Sequence, residues 1–401
     1  MSVGMGGIDD SGGRASWSRR KFLKRGGLAA ASAIVPMINF GRYKAFAASE
    51  RTYSAKAMEL MGRSLVIDML SLLGNLGDML TAGYSKNPKL HDGMAITDEH
   101  LEKLRSAGVN IYHPAVGLGE REGALAFVAR LNAYAAKRPD VFHRIDTVGD
   151  METVKAGDKI GYIVGIQNAQ HFNTPDDVNE FYHLGQRISQ LTYNSQNRIG
   201  AGSTDRVDGG VSDFGAAIIQ RMNEVGMAID VSHCGDKTTL DAFELSDAPV
   251  LITHSNVRAL VNGHPRCKSD EAIKKMAETG GVMGITGVRN FVRDKEPTTI
   301  EHMLDHFDYV ARLVGVEHVG IGSDMDADGY DDLPEPAYER LKSGYKDSYK
   351  FRGKLDTDGF DHPKKVYDLT EGLIRRGYSD ADIELILGGN FKRVLGEIWR
   401  S

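Results

Sequence analysis

Cysteine is scarce in this sequence. Two residues, Cys234 and Cys267, in 401 exclude a disulfide framework and any four-cysteine zinc site. Each directly follows a residue of interest, His233 and Arg266, so two readings stand open: a neighbouring pair facing an oxidising compartment, or two separate buried thiols. Positive charge is not in excess either. The chain carries 49 Lys and Arg against 55 Asp and Glu, a net charge of −6, with no long block of one sign. That argues against nucleic acid or an anionic membrane as partner. Long apolar runs are missing too. The stretch from Gly26 to Phe40 is too short and too rich in Gly and Ala to span a bilayer. There is no low-complexity tract and no internal repeat beyond a strand–helix rhythm.

What is present begins with an address. Ser18-Arg19-Arg20-Lys21-Phe22-Leu23-Lys24 has adjacent arginines followed by Phe-Leu-Lys, as in twin-arginine export signals. The modest apolar stretch comes next, then Ala45-Phe46-Ala47, a small-x-small cleavage site. Residues 1–48 are therefore read as a cleaved export signal. Residues 49–401 are read as one domain, a periplasmic product of roughly 350 residues without stable membrane insertion. That length suits one large barrel better than two small domains, and 41% apolar content suffices for a proper core.

Short β-branched runs alternate with helical patterns, the mark of repeated βα units on a parallel sheet. Eight strand candidates emerge: Leu65–Leu70, Val109–Ala115, Ile160–Gln167, Ile188–Tyr193, Met227–His233, Val250–His254, Val282–Val288 and Val319–Asp324. Helices are predicted over Thr97–Ala107, Ser212–Val225, Ser269–Thr279, Thr299–Val314, Lys364–Arg376 and Asp380–Ile398. The fold class is thus α/β, an eight-stranded parallel (β/α) TIM-type barrel. In such a barrel the C-terminal ends of the strands converge on one rim. Three of these runs end on metal-capable side chains, His233, His254 and Asp324, which points to a metal-dependent hydrolase. Two stretches interrupt the rhythm, Asn194–Gly210 and Asp326–Phe360. Both follow strands on the catalytic rim and are read as long loops serving as a lid or a partner surface.

Several motifs together resemble the renal (membrane) dipeptidase family of metallopeptidases. They are Asp213-Phe214-Gly215, Met222-Asn223-Glu224-Val225-Gly226-Met227, Asp230-Val231-Ser232-His233, Thr253-His254-Ser255-Asn256, Pro265-Arg266, Glu278-Thr279-Gly280-Gly281-Val282, His318 to Asp326, and Gly389-Asn390-Phe391-Lys392-Arg393-Val394. The resemblance runs over the whole mature chain and implies a barrel that hydrolyses dipeptides with two zinc ions bridged by a carboxylate. It implies that His233 and His254 ligate one ion and Asp324 the other. It further implies that Arg266 holds the substrate carboxylate, and that the protein forms a homodimer.

The remaining positions depart from that pattern. Leu70 and Leu72 stand where the family has a His-x-Asp pair, and hydrocarbon cannot bind a cation. Gln167 replaces the bridging glutamate; its amide is a weak, uncharged ligand. Tyr193 replaces a histidine thought to bind the tetrahedral intermediate, and could donate to an oxyanion. Two dications cannot be held against their repulsion by one carboxylate and two imidazoles, whereas a single zinc accepts three protein ligands and a water. The expected centre is therefore one zinc ion, or none, on His233, His254 and Asp324, with Gln167 or His113 as further donors. His171 is another candidate if its loop folds inward.

Three functions follow. The first is hydrolysis of an amide bond in a dipeptide or other small carboxylate-bearing, amino-acid-derived substrate. There Asp324 is ligand or general base, Tyr193 assists, and Arg266 orients the substrate. The second is a non-hydrolytic binding or maturation protein on the same barrel. The third is an isomerase or epimerase.

Overall fold

Each site-bearing strand runs parallel to its neighbours, so all deliver their last residues to the same end. The structure is a computed structural model that describes residues 42–44, 51–74, 96, 98–117, 119–331 and 333–399. Apart from Arg42–Lys44, the export-signal reading lies outside the described residues, as does Thr97. Residues Phe40–Ser401 form one compact unit. No described helix is long and apolar enough to cross a membrane.

In chain order the strands are β1 (Arg42–Lys44), β2 (Thr52–Ser54), β3 (Ile67–Asp68), β4 (Ile111–Tyr112), β5 (Ala115–Val116), β6 (Phe142–Arg144), β7 (Ile160–Tyr162), β8 (Val164–Ile166), β9 (Gln186–Gln190), β10 (Ala228–Asp230), β11 (Val250–Ser255), β12 (Met283–Ile285) and β13 (Val319–Ile321). β1 and β2 form an antiparallel pair. The others make two parallel sheets, ordered β13-β12-β11-β10-β9-β8-β5 and β3-β4-β7-β6. These sheets share segments, because β4 runs into β5 and β7 into β8. At the other seam Met69 N donates to Ile321 O at 2.9 Å and Asp324 N to Leu70 O at 2.8 Å, so β3 lies beside β13. The result is eight staves in sequence order, the eight expected. β6 is additional. It pairs with the outer side of β7, and its three residues are too few to show a strand period.

The helices begin where their caps say they should. Ser212 accepts from Gly215 N ahead of Asp213–Val225, and Gly226 closes that helix at φ 82°. Ser269 accepts from Ala272 N ahead of Asp270–Glu278, and Thr299 caps Ile300–Val314. The two serine oxygens satisfy first-turn N–H groups that the helix cannot, while at Thr299 the backbone N–H donates to His302 Nδ1 at 3.1 Å. Two expectations fail. Asp380–Ile398 is not one helix but Asp380–Glu384, a π-helical turn at Leu385–Gly389, and Asn390–Ile398. Gly388 lies so close to the Leu65 carbonyl that no Cβ would fit, and the chain bends there. The 326–360 stretch is not simply a loop, since it contains the helix Glu335–Ser343. Pro336 sits in that helix's first turn, where a missing N–H loses nothing.

The early residues of the strands are sealed by the end of the chain. Ile67, Ile111, Ile188, Ala228, Leu251 and Val282 are buried in one cluster with Phe391, Val394 and Leu395. That closure leaves the opposite, C-terminal ends open for a site.

Candidate functional site

A cavity of about 300 Å³ lies at those strand ends, lined by Leu70, Leu72, Gln167, Tyr193, His233 and Asp324 among others. Its size is at the small end for metabolite pockets. A second wall comes from the 326–360 stretch, which contributes Tyr330, Leu341, Tyr345, Tyr349, Phe351 and Leu355. The lid expected there is therefore in contact with the cavity. The other long loop, 194–210, reaches the site behind the cavity wall, where Asn194 bonds His233.

His233 and His254 come together. Their Nε2 atoms are 2.9 Å apart, and their surroundings fix which nitrogen carries the proton. His233 Nδ1 donates to Asn194 Oδ1 at 2.8 Å, an oxygen that also accepts from Ser203 Oγ at 3.3 Å. Thr253 Oγ1 donates to Asp230 Oδ2 at 2.7 Å, so it accepts from His254 Nδ1, also at 2.7 Å. Both Nε2 atoms thus present lone pairs to one another, and only a proton or a cation between them makes that contact favourable. Burial, then the nearby Arg266 charge, hold both imidazoles well below their ordinary pKa. Tyr193 stacks on the His233 ring at 4.3 Å between centroids. A Cβ on Gly117 would meet the Tyr193 ring at 2.8 Å, so only glycine leaves room for it.

Asp324 follows β13 in a left-handed conformation, φ 56°, which among non-glycine residues Asp and Asn tolerate best. Burial pushes its carboxyl up to about 7, against the opposing charge of Arg266 and with Asp68 adding to the shift. Its charge is felt by Tyr193, Tyr330, Tyr345 and Tyr349.

Arg266 is placed otherwise than the carboxylate-clamp expectation requires. It is fully buried and does not line the cavity. Its Nη1 donates to Ser232 O and its Nη2 to His254 O at 3.0 Å. Lys268 Nζ does the same for Val231 O at 2.6 Å and Cys234 O at 3.0 Å. The two cations thereby fix the backbone around His233 and His254, while Arg266 Nε has no partner.

The remaining candidates are structural neighbours. Gln167 Nε2 donates to Ala115 O at 2.8 Å. His113 Nδ1 bonds Met69 O at 2.6 Å, and its unpartnered Nε2 lies against Gly165. His171 is held between Asn168 O and Gln186 Oε1 at 2.8 and 3.1 Å. Cys234 and Cys267 are both free and buried.

These donors do not fit a pair of zinc ions. Buried leucines stand at the two positions that the resemblance assigns to chelators, and Gln167 offers an uncharged amide oxygen, a weak bridge between two dications. Among the described residues no three His, Cys, Asp or Glu side chains are placed to hold an ion, so the set His233, His254 and Asp324 is not assembled. The chemistry that remains is two convergent imidazole nitrogens, one carboxyl and a tyrosine hydroxyl facing a largely apolar cavity.

The membrane dipeptidase family, peptidase family M19, matches residues 55–339 and 349–400. The chain belongs to that family. This dipeptidase-family chain is 31% identical over 250 residues, 62% of its length, to dipeptidase verJ of Clonostachys rogersoniana, and covers 57% of that protein. It spans little more than half the length of the curated relatives it matches. Among solved structures it resembles an amidohydrolase from Pseudomonas aeruginosa, at 29% identity and TM-score 0.71 over 86% of this chain and 99% of that one. It shares its fold with the probable dipeptidase PvdM of the same organism, at 23% identity and TM-score 0.68 over 85% and 97%. The family consists of metallopeptidases, which sharpens the contrast with this dipeptidase-family chain's donor set.

Three residues of the site were not found from the sequence. Thr253 was visible beside His254, but its role needed the Asp230 contact. Asn194, at φ 57°, and Tyr345 sit in irregular stretches where no periodicity marks them.

Proposed function

We propose that this protein is an exported, periplasmic member of the dipeptidase family that takes a small peptide or amino-acid-derived ligand without two-zinc hydrolysis of it. The observation that carries this reading is the pair Leu70 and Leu72, at most 9% exposed, forming cavity wall where chelators would stand. A drier wall favours retention of a ligand, and the residues around it supply acid–base groups: Asp324 to hold or release a proton, and the neutral Tyr193 hydroxyl to donate a hydrogen bond. Arg266 and Lys268 keep the His233 and His254 strand ends rigid beneath the ligand. Export is supported by the twin-arginine motif and the cleavage site that follows it.

A second reading keeps amide hydrolysis, with a single cation such as zinc on His233 and His254. It is favoured by the two bare Nε2 atoms at 2.9 Å. One experiment decides between them: metal content of protein purified from the periplasm, together with turnover of a dipeptide panel. Sub-stoichiometric metal with saturable peptide binding and no turnover supports the first reading. One ion per chain with turnover, both lost in His254→Ala, supports the second.

A further inference from the structure

Leu341 and Tyr345 both line the cavity. Leu341 lies in the last turn of the helix Glu335–Ser343, and Tyr345 N donates to Lys342 O at 3.1 Å, so the coil continues past the helix end. Residues four apart on such a coil share a face, which brings both side chains to one wall. Both also belong to residues 340–348, the stretch between the two blocks that match the family. Every other described lining residue lies within those blocks.

A wall that reads ligand shape has to be held still. The Tyr345 hydroxyl is 3.0 Å from that of Tyr193, and its ring lies 4.3 Å from Tyr349 and 5.4 Å from Phe351 between centroids. Next to it, Lys346 reaches Asp205 at 2.9 Å. Behind the rings, His264 Nδ1 accepts from Arg266 N at 3.2 Å, so its Nε2 carries the proton and donates to Tyr349 O at 2.9 Å. Asn290 Nδ2 holds Lys350 O at 3.0 Å. The segment is thus tied on both sides of Tyr345.

The barrel side of the cavity adds hydrocarbon from Leu70, Leu72, Val116 and Val288. An apolar cavity of about 150 Å³ takes up one benzene ring. At about 300 Å³ this one has room for such a group and for the backbone that carries it. Apolar walls discriminate by size, roughly 10- to 200-fold for one methylene.

We infer that Leu341 and Tyr345 set how large an apolar side group the cavity accepts on an amino-acid-derived ligand. The inference rests on the reading of this cavity as the ligand site, and adds to it a size limit supplied by the chain's own segment.

The test is calorimetric titration of the full chain with four uncharged probes that differ only in side chain: the N-acetyl amides of alanine, leucine, phenylalanine and tryptophan. The leucine or the phenylalanine probe is expected to bind at least tenfold more tightly than the alanine probe. Tyr345→Ala is expected to move the ratio of tryptophan to leucine affinity at least tenfold towards tryptophan. Tyr345→Phe keeps the ring and loses only the hydroxyl contact, so it should leave that ratio unchanged. Leu341→Ala should move the ratio in the same direction as Tyr345→Ala, and decides the matter if circular dichroism shows that Tyr345→Ala does not fold. Leu72→Trp, which fills the cavity, reports where binding occurs, and its melting temperature reports whether it folds. Should the alanine variants weaken all four probes by one common factor while Leu72→Trp blocks them, the size inference is overturned and the cavity remains the ligand site. Should no probe bind, or should binding survive Leu72→Trp in a folded variant, both fail.

Discussion

Asn194 Oδ1 accepts the Nδ1 proton of His233 at 2.8 Å, and this one bond sets which nitrogen His233 turns towards His254. A residue in an irregular loop therefore decides the chemistry presented at a strand end. Asn194→Ala is expected to release that tautomer and to destabilise the protein by about 1–2 kcal/mol, the cost of an unpaired buried imidazole N–H. Long-range nitrogen–proton NMR of the histidine side chains checks it: the His233 signal should change from a single Nδ1-protonated form to a mixture. An unchanged spectrum would show that something else holds the ring.

Arg266 and the His254 backbone carbonyl, 3.0 Å apart, give a second test. If the guanidinium supports the strand ends, Arg266→Met leaves two buried carbonyls without donors. The expected loss is about 3 kcal/mol in chemical denaturation, with Arg266→Lys recovering part of it. A clamp for a ligand carboxylate would behave otherwise, leaving stability unchanged and weakening only anionic ligands.

Acid sensitivity follows from three buried imidazoles. Burial depresses His171, His264 and His306 to about 4 from 6.5. Between those values the unfolded chain binds protons that the folded chain refuses. The stability they contribute is therefore complete above pH 6.5 and falls as pH drops towards 4, by up to about 1.4 kcal/mol per unit for each group. Urea midpoints should accordingly be lower near pH 5 than at pH 7, and His171→Gln should flatten that slope. A midpoint independent of pH over this range contradicts the assignment.

The apolar wall can be reversed by design. Leu72→Asp alone buries a carboxyl with no partner and should destabilise by roughly 2–5 kcal/mol. The triple change Leu70→His, Leu72→Asp and Gln167→Glu returns a complete donor set. It should regain stability only when zinc is added, seen as a zinc-dependent rise in melting temperature absent from the unmodified protein.

The fold was legible because its signals were local and repeated. Eight β-branched runs placed every stave, and caps such as Ser212 and Ser269 placed the helices Asp213–Val225 and Asp270–Glu278, while Arg121–Lys137 and Asp236–Leu245 went unnamed. What escaped was set by distant contacts. The bend at Gly388 answers to the Leu65 carbonyl, more than three hundred residues earlier. The helix Glu335–Ser343 lay inside a stretch whose prolines and charges read as a loop. Strand-end position was enough to bring His233, Asp324 and Tyr193 to one cavity, with His254 beside His233. It could not show that Arg266 turns away from the cavity, or that Tyr345 closes it, because neither orientation has a sequence period.

Leu70, Leu72 and Gln167 are expected to leave this barrel unable to assemble a pair of zinc ions. Metal stoichiometry after incubation with excess zinc and removal of unbound ion, read by inductively coupled plasma mass spectrometry, tests it most directly. At most one ion per chain, lost in the double variant His233→Ala, His254→Ala, is the predicted result. Two ions per chain retained by the unmodified protein would contradict it.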